Sequence, residues 1–81
     1  MYLEIVTPEK KVYEGNIELI QLPGSTGSFE ILKSHAPIVS VLQRGSIKVV
    51  TQDQDEIFFQ IDGGVIEMTN DKIIVLAEMY Y

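Results

Sequence analysis

Turn-forming residues recur along this chain at intervals of roughly 8–12 residues, and β-branched side chains dominate the stretches between them. The punctuation runs through Pro8, Gly15, Pro23-Gly24, Gly27, Pro37, Gly45, the polar stretch at residues 52–55, Gly63-Gly64 and Asn70-Asp71. Of 81 residues, 11 are Ile, 8 Val and 4 Thr, against only 2 Ala. Branching at Cβ costs χ1 freedom in a helix and suits a pleated surface. Such a chain is expected to be all-β, a sandwich or barrel of short strands with no substantial helix. Its length allows one domain, residues 1–81.

Strands are expected near residues 2–7, 11–14, 17–22, 28–32, 38–43, 46–51, 56–61, 65–69 and 72–78. Pro23-Gly24 suits the two central positions of a type II turn, where Gly takes a positive φ. Asn70-Asp71 lies between two apolar runs, and both residues tolerate the left-handed region, so a two-residue hairpin is expected. Thr51-Gln52-Asp53-Gln54-Asp55-Glu56 reads as a solvated hairpin tip. Gly63-Gly64 inside an apolar run points to a bulge or a close backbone approach. Alternation sets Ile57, Phe59 and Ile61 on one face and leaves Phe58 alone among Glu56 and Gln60. The last strand is apolar on both sides, with Ile73, Val75 and Ala77 on one and Ile74 and Leu76 on the other. A two-layer fold of this size cannot cover both, which is the first sign of a protein interface.

Several chemistries are excluded or weakly supported. With no Cys there is no thiolate metal site or thiol nucleophile, and the single His excludes a His-rich zinc site. Twelve acidic residues against six basic ones give a net charge of −6, which argues against nucleic acid and anionic lipid. No apolar run approaches the roughly 18–20 residues of a membrane span. The opening residues have no basic region followed by an apolar stretch, so no signal peptide is expected. Ser34 and His35 are adjacent, but adjacency does not supply triad geometry, and a lone His in a turn usually binds local backbone or a partner. Asp53, Asp55 and Glu56 lack the Gly and distal Glu of a calcium loop, so a solvated turn is the better reading. Gly24-Ser25-Thr26-Gly27-Ser28 lacks the Gly-Lys-Ser/Thr ending of a phosphate loop. No cofactor, metal or catalytic residue is therefore expected. One competing function stays open. Small acidic β domains carry lipoyl or biotinyl groups on a hairpin lysine, and Lys72 follows the Asn70-Asp71 turn, although no two-fold quasi-repeat accompanies it.

The central stretch, Gly24 to Val49, resembles the signature region of the epsilon subunit family of F-type ATP synthase (delta in mitochondria). The resemblance rests on Gly27, an extended Phe29-Glu30-Ile31-Leu32, then His35-Ala36-Pro37, a short apolar strand, Gly45 and the alternating Ile47-Lys48-Val49. Ile5-Val6-Thr7-Pro8-Glu9 and Val12-Tyr13-Glu14-Gly15 are similar to the family's opening. Gly63-Gly64-Val65-Ile66-Glu67 and Val75-Leu76-Ala77-Glu78 are similar to its last two strands. The likeness spans Leu3 to Glu78.

The resemblance implies a flattened antiparallel β-sandwich of two sheets. It implies a non-catalytic central-stalk subunit that binds the gamma subunit and the c-subunit ring and couples proton translocation to ATP synthesis. Its place would be peripheral, on the cytoplasmic side of the bacterial inner membrane, without inserting into it. Carried over by position, Ser25, Ser28, Glu30, Leu32, Ser34 and His35 would face the c ring. Ile38, Ser40, Leu42, Glu78 and Met79 would lie against gamma. Most family members continue into a two-helix hairpin that inhibits ATP hydrolysis, and in some binds ATP. This sequence ends at Met79-Tyr80-Tyr81 and is read as a short form to which those properties do not carry. Ser34 stands where many members have Gly.

Overall fold

Seven strands alternate with tight turns in the computed structural model, which describes residues 1–33 and 36–79. They are β1 (Tyr2–Val6), β2 (Lys11–Gly24), β3 (Gly27–Leu32), β4 (Ile38–Leu42), β5 (Gly45–Thr51), β6 (Glu56–Thr69) and β7 (Lys72–Met79). Nine strand-like stretches in the sequence become seven because two punctuation marks do not end their strands. The backbone continues extended through Gly15-Asn16 in β2 and through Asp62-Gly63-Gly64 in β6.

Those two long strands explain the architecture. Residues 11–16 of β2 pair with β1, β1 pairs with β7, β7 with residues 61–69 of β6, and this half of β6 with β4. Residues 17–24 of β2 pair with β3 and β5, and β5 pairs with residues 56–61 of β6. The result is a sandwich of two layers, A and B, with β2 and β6 shared between them. Register shifts fall at Ile17/Leu19 and Ile61/Gly63, where each long strand passes from one layer to the other. A bulge bends a strand there and reverses which parity faces inward. Accordingly β6 buries Ile61 before the shift and Ile66 and Met68 after it. Every pairing is antiparallel except β1 with β7, which run parallel.

The core lies between the layers. Leu3, Ile5, Ile66, Met68, Ile73, Val75 and Ala77 from layer A meet Ile20, Leu22, Ile31, Ile47 and Val49 from layer B. Tyr13 and Phe59 close one end, edge to face, with ring centroids 5.8 Å apart.

The turns follow the sequence with one correction. Asn70 and Asp71 have φ of 49° and 66°, the two-residue hairpin expected of them. Pro23-Gly24 does not form a turn. Both residues belong to β2, paired with Ser28 and Gly27, and the turn is Ser25-Thr26. Gly24 is needed for space, because a Cβ there would sit 2.8 Å from the Phe29 ring.

Candidate functional site: the outer face of layer A

Cross-strand register builds a surface that no single strand shows. Val41 lies opposite Val65, Val65 opposite Leu76, and Leu76 opposite Val6. Four strands thus place four apolar side chains in one row on the outside of layer A. The next row is Val39, Glu67, Ile74 and Glu4. Val39 is 70%, Val41 60% and Leu76 57% exposed. The inward parity of β7 already fills the core, so its second apolar side is left to solvent.

The far end of this face is ionic. The Lys11 ammonium lies 3.9 Å from Glu4 and 3.2 Å from Glu14, and Lys72 reaches Glu4 at 3.7 Å. The Tyr2 hydroxyl donates to Glu14, and the Lys72 ammonium sits 5.9 Å from the Tyr2 ring centre. The hydrogen bond to Glu14 pushes the Tyr2 phenol up to about 12. The same bond, and then the bond from Lys11, holds the Glu14 carboxyl below the usual carboxylate range. These charges compensate one another within the chain, so this end is a finished polar rim.

The face carries two hollows that share Val65 and Leu76, one on each side of the row. One, of about 350 Å³, is lined by Val6, Pro8, Gly64, Ala77 and Glu78 besides Val65 and Leu76. The other, of about 200 Å³, lies between Val39 and Ile74 and opens on Glu67. Gly64 owes its identity to the neighbouring strand, because a Cβ there would be 2.3 Å from the Leu76 carbonyl oxygen.

The sequence-predicted residues divide. Ser28, Glu30 and Leu32 share the outward parity of β3, an edge strand of layer B, and Ser25 stands exposed in the turn before it. These four are brought together in one strip; Ser34 and His35 lie outside the described residues. The gamma-facing set is not brought together. On β4, Leu42 is 3% exposed and belongs to the core. Ile38 and Ser40 share its inward parity, opposite the buried Met68 and Ile66. The expectation that Leu42 meets a partner is therefore corrected: the outward residues of this strand are Val39 and Val41. Glu78 is exposed at the larger hollow, whereas Met79 packs against the core. Lys72 is a strand residue opposite Thr69 and engaged by Glu4, not the tip of its hairpin. The Asp53, Asp55 and Glu56 tip is exposed, and no grouping of three potential metal ligands occurs among the described residues.

The fold is a two-layer β-sandwich with one apolar outer face left uncovered. Residues 1–81 match the family described as ATP synthase, Delta/Epsilon chain, beta-sandwich domain, and the chain belongs to that family. It is similar to the ATP synthase epsilon chain of Chlorobium limicola, 40% identical over 76 residues that cover 94% of this chain and 86% of the relative. The epsilon chain of Chlorobaculum tepidum is 41% identical with the same coverage. Among solved structures, a chain of the Euglena gracilis mitochondrial ATP synthase (OSCP, F1 and c-ring) superimposes with a TM-score of 0.84 at 18% identity. The match covers 93% of this chain and 48% of that one. A chain of the Tetrahymena thermophila central stalk and c-ring gives 0.82 at 17% identity, covering 96% and 63%. The present chain thus spans about half and under two thirds of those two chains, and at such identities they show the shared fold.

Proposed function

We propose that this ATP synthase epsilon-type chain is a non-catalytic rotor subunit. The outer face of layer A docks on the gamma subunit. The strip of Ser25, Ser28, Glu30 and Leu32, with Ser34 and His35, meets the c-subunit ring. Coupling of proton translocation to ATP synthesis then passes through the sandwich as a rigid adaptor, on the cytoplasmic side of the bacterial inner membrane.

The observation that carries the reading is the apolar row of Val41, Val65, Leu76 and Val6, continued by Val39 and Ile74. The domain measures 30 × 24 × 19 Å, so its broad side is on the scale of the ~800 Å² each partner gives to a standard interface. An apolar centre with a polar rim is the anatomy of such a surface. The lipoyl or biotinyl alternative finds no support in the placement of Lys72 within a paired strand. Co-expression with the gamma subunit of the same organism tests the proposal. A complex stable at micromolar concentration is expected, and its absence would refute the assignment to gamma.

A further inference from the structure

The two hollows differ from a plain apolar face in one respect: each has aliphatic walls and a single carboxylate. Five other carboxylates are paired internally, among them Glu4 and Glu14, the other two acids of this face. Glu4 and Glu14 have Lys11, with Lys72 also on Glu4; Glu56 has Lys48 at 3.8 Å; Asp62 has Arg44 at 3.4 Å. Asp71 has the chain's terminal ammonium at 3.6 Å. Among the described residues, no ion pair reaches Glu67 or Glu78. Glu67 stands between Val39 and Ile74 in the cross-strand row, and Glu78 stands one outward position beyond Leu76. Glu67 and Glu78 therefore bracket the apolar row as the two acids of this face that no ion pair reaches among the described residues.

We propose that these hollows are sockets for two basic side chains of the partner that covers layer A, an inference that rests on the docking role given to this face. The (CH₂) stem of a Lys or Arg lies along Val65 and Leu76 while its head reaches Glu67 in the smaller hollow and Glu78 in the larger. Long cationic side chains have this division, an apolar stem and a charged tip. An entirely apolar partner would cover both carboxylates without a counter-charge, which disfavours it. The partner surface that fits is thus an apolar centre flanked by cations, and the pairing fixes its orientation across the row.

The test is titration calorimetry of the full chain with the gamma subunit of the same organism, at low and high salt. Glu67→Gln and Glu78→Gln are each expected to weaken binding about threefold to fivefold, the scale of partly exposed ion pairs. The double variant should lose about tenfold or more and show a flatter salt dependence, with an unchanged circular dichroism melt. Glu67→Lys should weaken binding further than Glu67→Gln, while Glu56→Gln on layer B should change nothing. If Leu76→Asp abolishes binding but both Gln variants bind as the parent does, with the same salt slope, the sockets are wrong and the face reading stands. If Leu76→Asp has no effect, the face reading fails and the sockets with it. If the free chain self-associates and Leu76→Asp abolishes that instead, the face belongs to a second copy, which also overturns the proposal.

Discussion

Adjacent residues of β4 should respond oppositely to one charge. Leu42 is 3% exposed in the main core, whereas Val41 beside it is 60% exposed in the apolar row. Truncating a buried Leu to Ala costs about 2–5 kcal/mol through lost transfer energy and the cavity left behind. Leu42 is paired with Gly64 of β6 on one side and Gly24 of β2 on the other, and Leu42→Ala is placed mid-range at about 3 kcal/mol, a fall of roughly 12–24 °C in melting temperature. Leu42→Asp adds the cost of a carboxylate without a partner, roughly 1–3 kcal/mol more. A chain of this length has about 4–12 kcal/mol of stability in all, so Leu42→Asp, at about 4–6 kcal/mol, should remove from about a third to all of it. Val41→Asp faces water and gives up only strand preference, which costs less than about 1 kcal/mol. Its effect should fall on the complex, with affinity for gamma reduced tenfold or more. Urea denaturation followed by circular dichroism gives the stabilities, and calorimetry with gamma gives the affinities. A Val41→Asp chain as unstable as Leu42→Asp, or a Leu42→Asp chain that is as stable as the parent and only fails to bind, would refute the assignment of faces.

Two further outcomes follow from contacts inside layer A. Gly64→Ala would set a Cβ 2.3 Å from the Leu76 carbonyl oxygen and 3.1 Å from the Ala77 Cα, so the β6–β7 ladder must open. A loss of about 2–3 kcal/mol in urea denaturation is expected, and a loss under about 0.5 kcal/mol would count against so close an approach. Tyr2→Phe removes a bond that acts at both ends of the pH scale. Glu14 is held low by Tyr2 and then Lys11, so its stabilisation is full above the ordinary carboxylate pKa and is lost as pH falls through the lowered value. Tyr2 is raised to about 12, so its contribution is full below pH 10.0 and is lost as pH rises through about 12. In Tyr2→Phe the Glu14 midpoint should move up when followed by carboxylate NMR, and a midpoint that stays put would show that the hydroxyl is not its main partner.

Local chemistry made much of the fold legible. Period-two alternation gave the strands, the Asn70-Asp71 hairpin and the exposure of Phe58, which is 57% accessible opposite Lys48. Gly63-Gly64 announced both the register shift and the close approach to β7. The fusion of strands across Gly15-Asn16 and residues 62–64 was hidden, because a bulge and a turn share their residues. The parallel pairing of β1 with β7 left no mark, since register across distant strands is not written in either one. On β4 the pattern was silent. The resemblance set Ile38, Ser40 and Leu42 against gamma and the residues left both sides open, yet Ser40 is half-buried opposite Ile66, and the wholly apolar Val39 and Val41 face solvent. Parity is unreadable where both sides of a strand are mostly apolar. The two hollows were hidden for the same reason as the parallel pair, because Glu67, Val39 and Ile74 meet only through pairing.

The shared strands bear on how such a domain transmits force. Two separate sheets held by side-chain packing alone can slide past each other at the cost of repacking. Here β2 and β6 each belong to both layers, so sliding must break backbone hydrogen bonds on both sides of the Ile17/Leu19 and Ile61/Gly63 shifts. A load on the β3 strip therefore reaches the outer face of layer A along the main chain. The same continuity predicts the pattern of hydrogen exchange. Buried strand segments open only with the whole domain, while edges open locally. Amides at residues 20–22 and 65–68 should exchange only by global unfolding, and those of the edge strand β3 at lower free energy. If residues 65–68 exchanged as readily as β3, the long strands would not hold the layers together, and the rigid-adaptor argument would lose its physical basis.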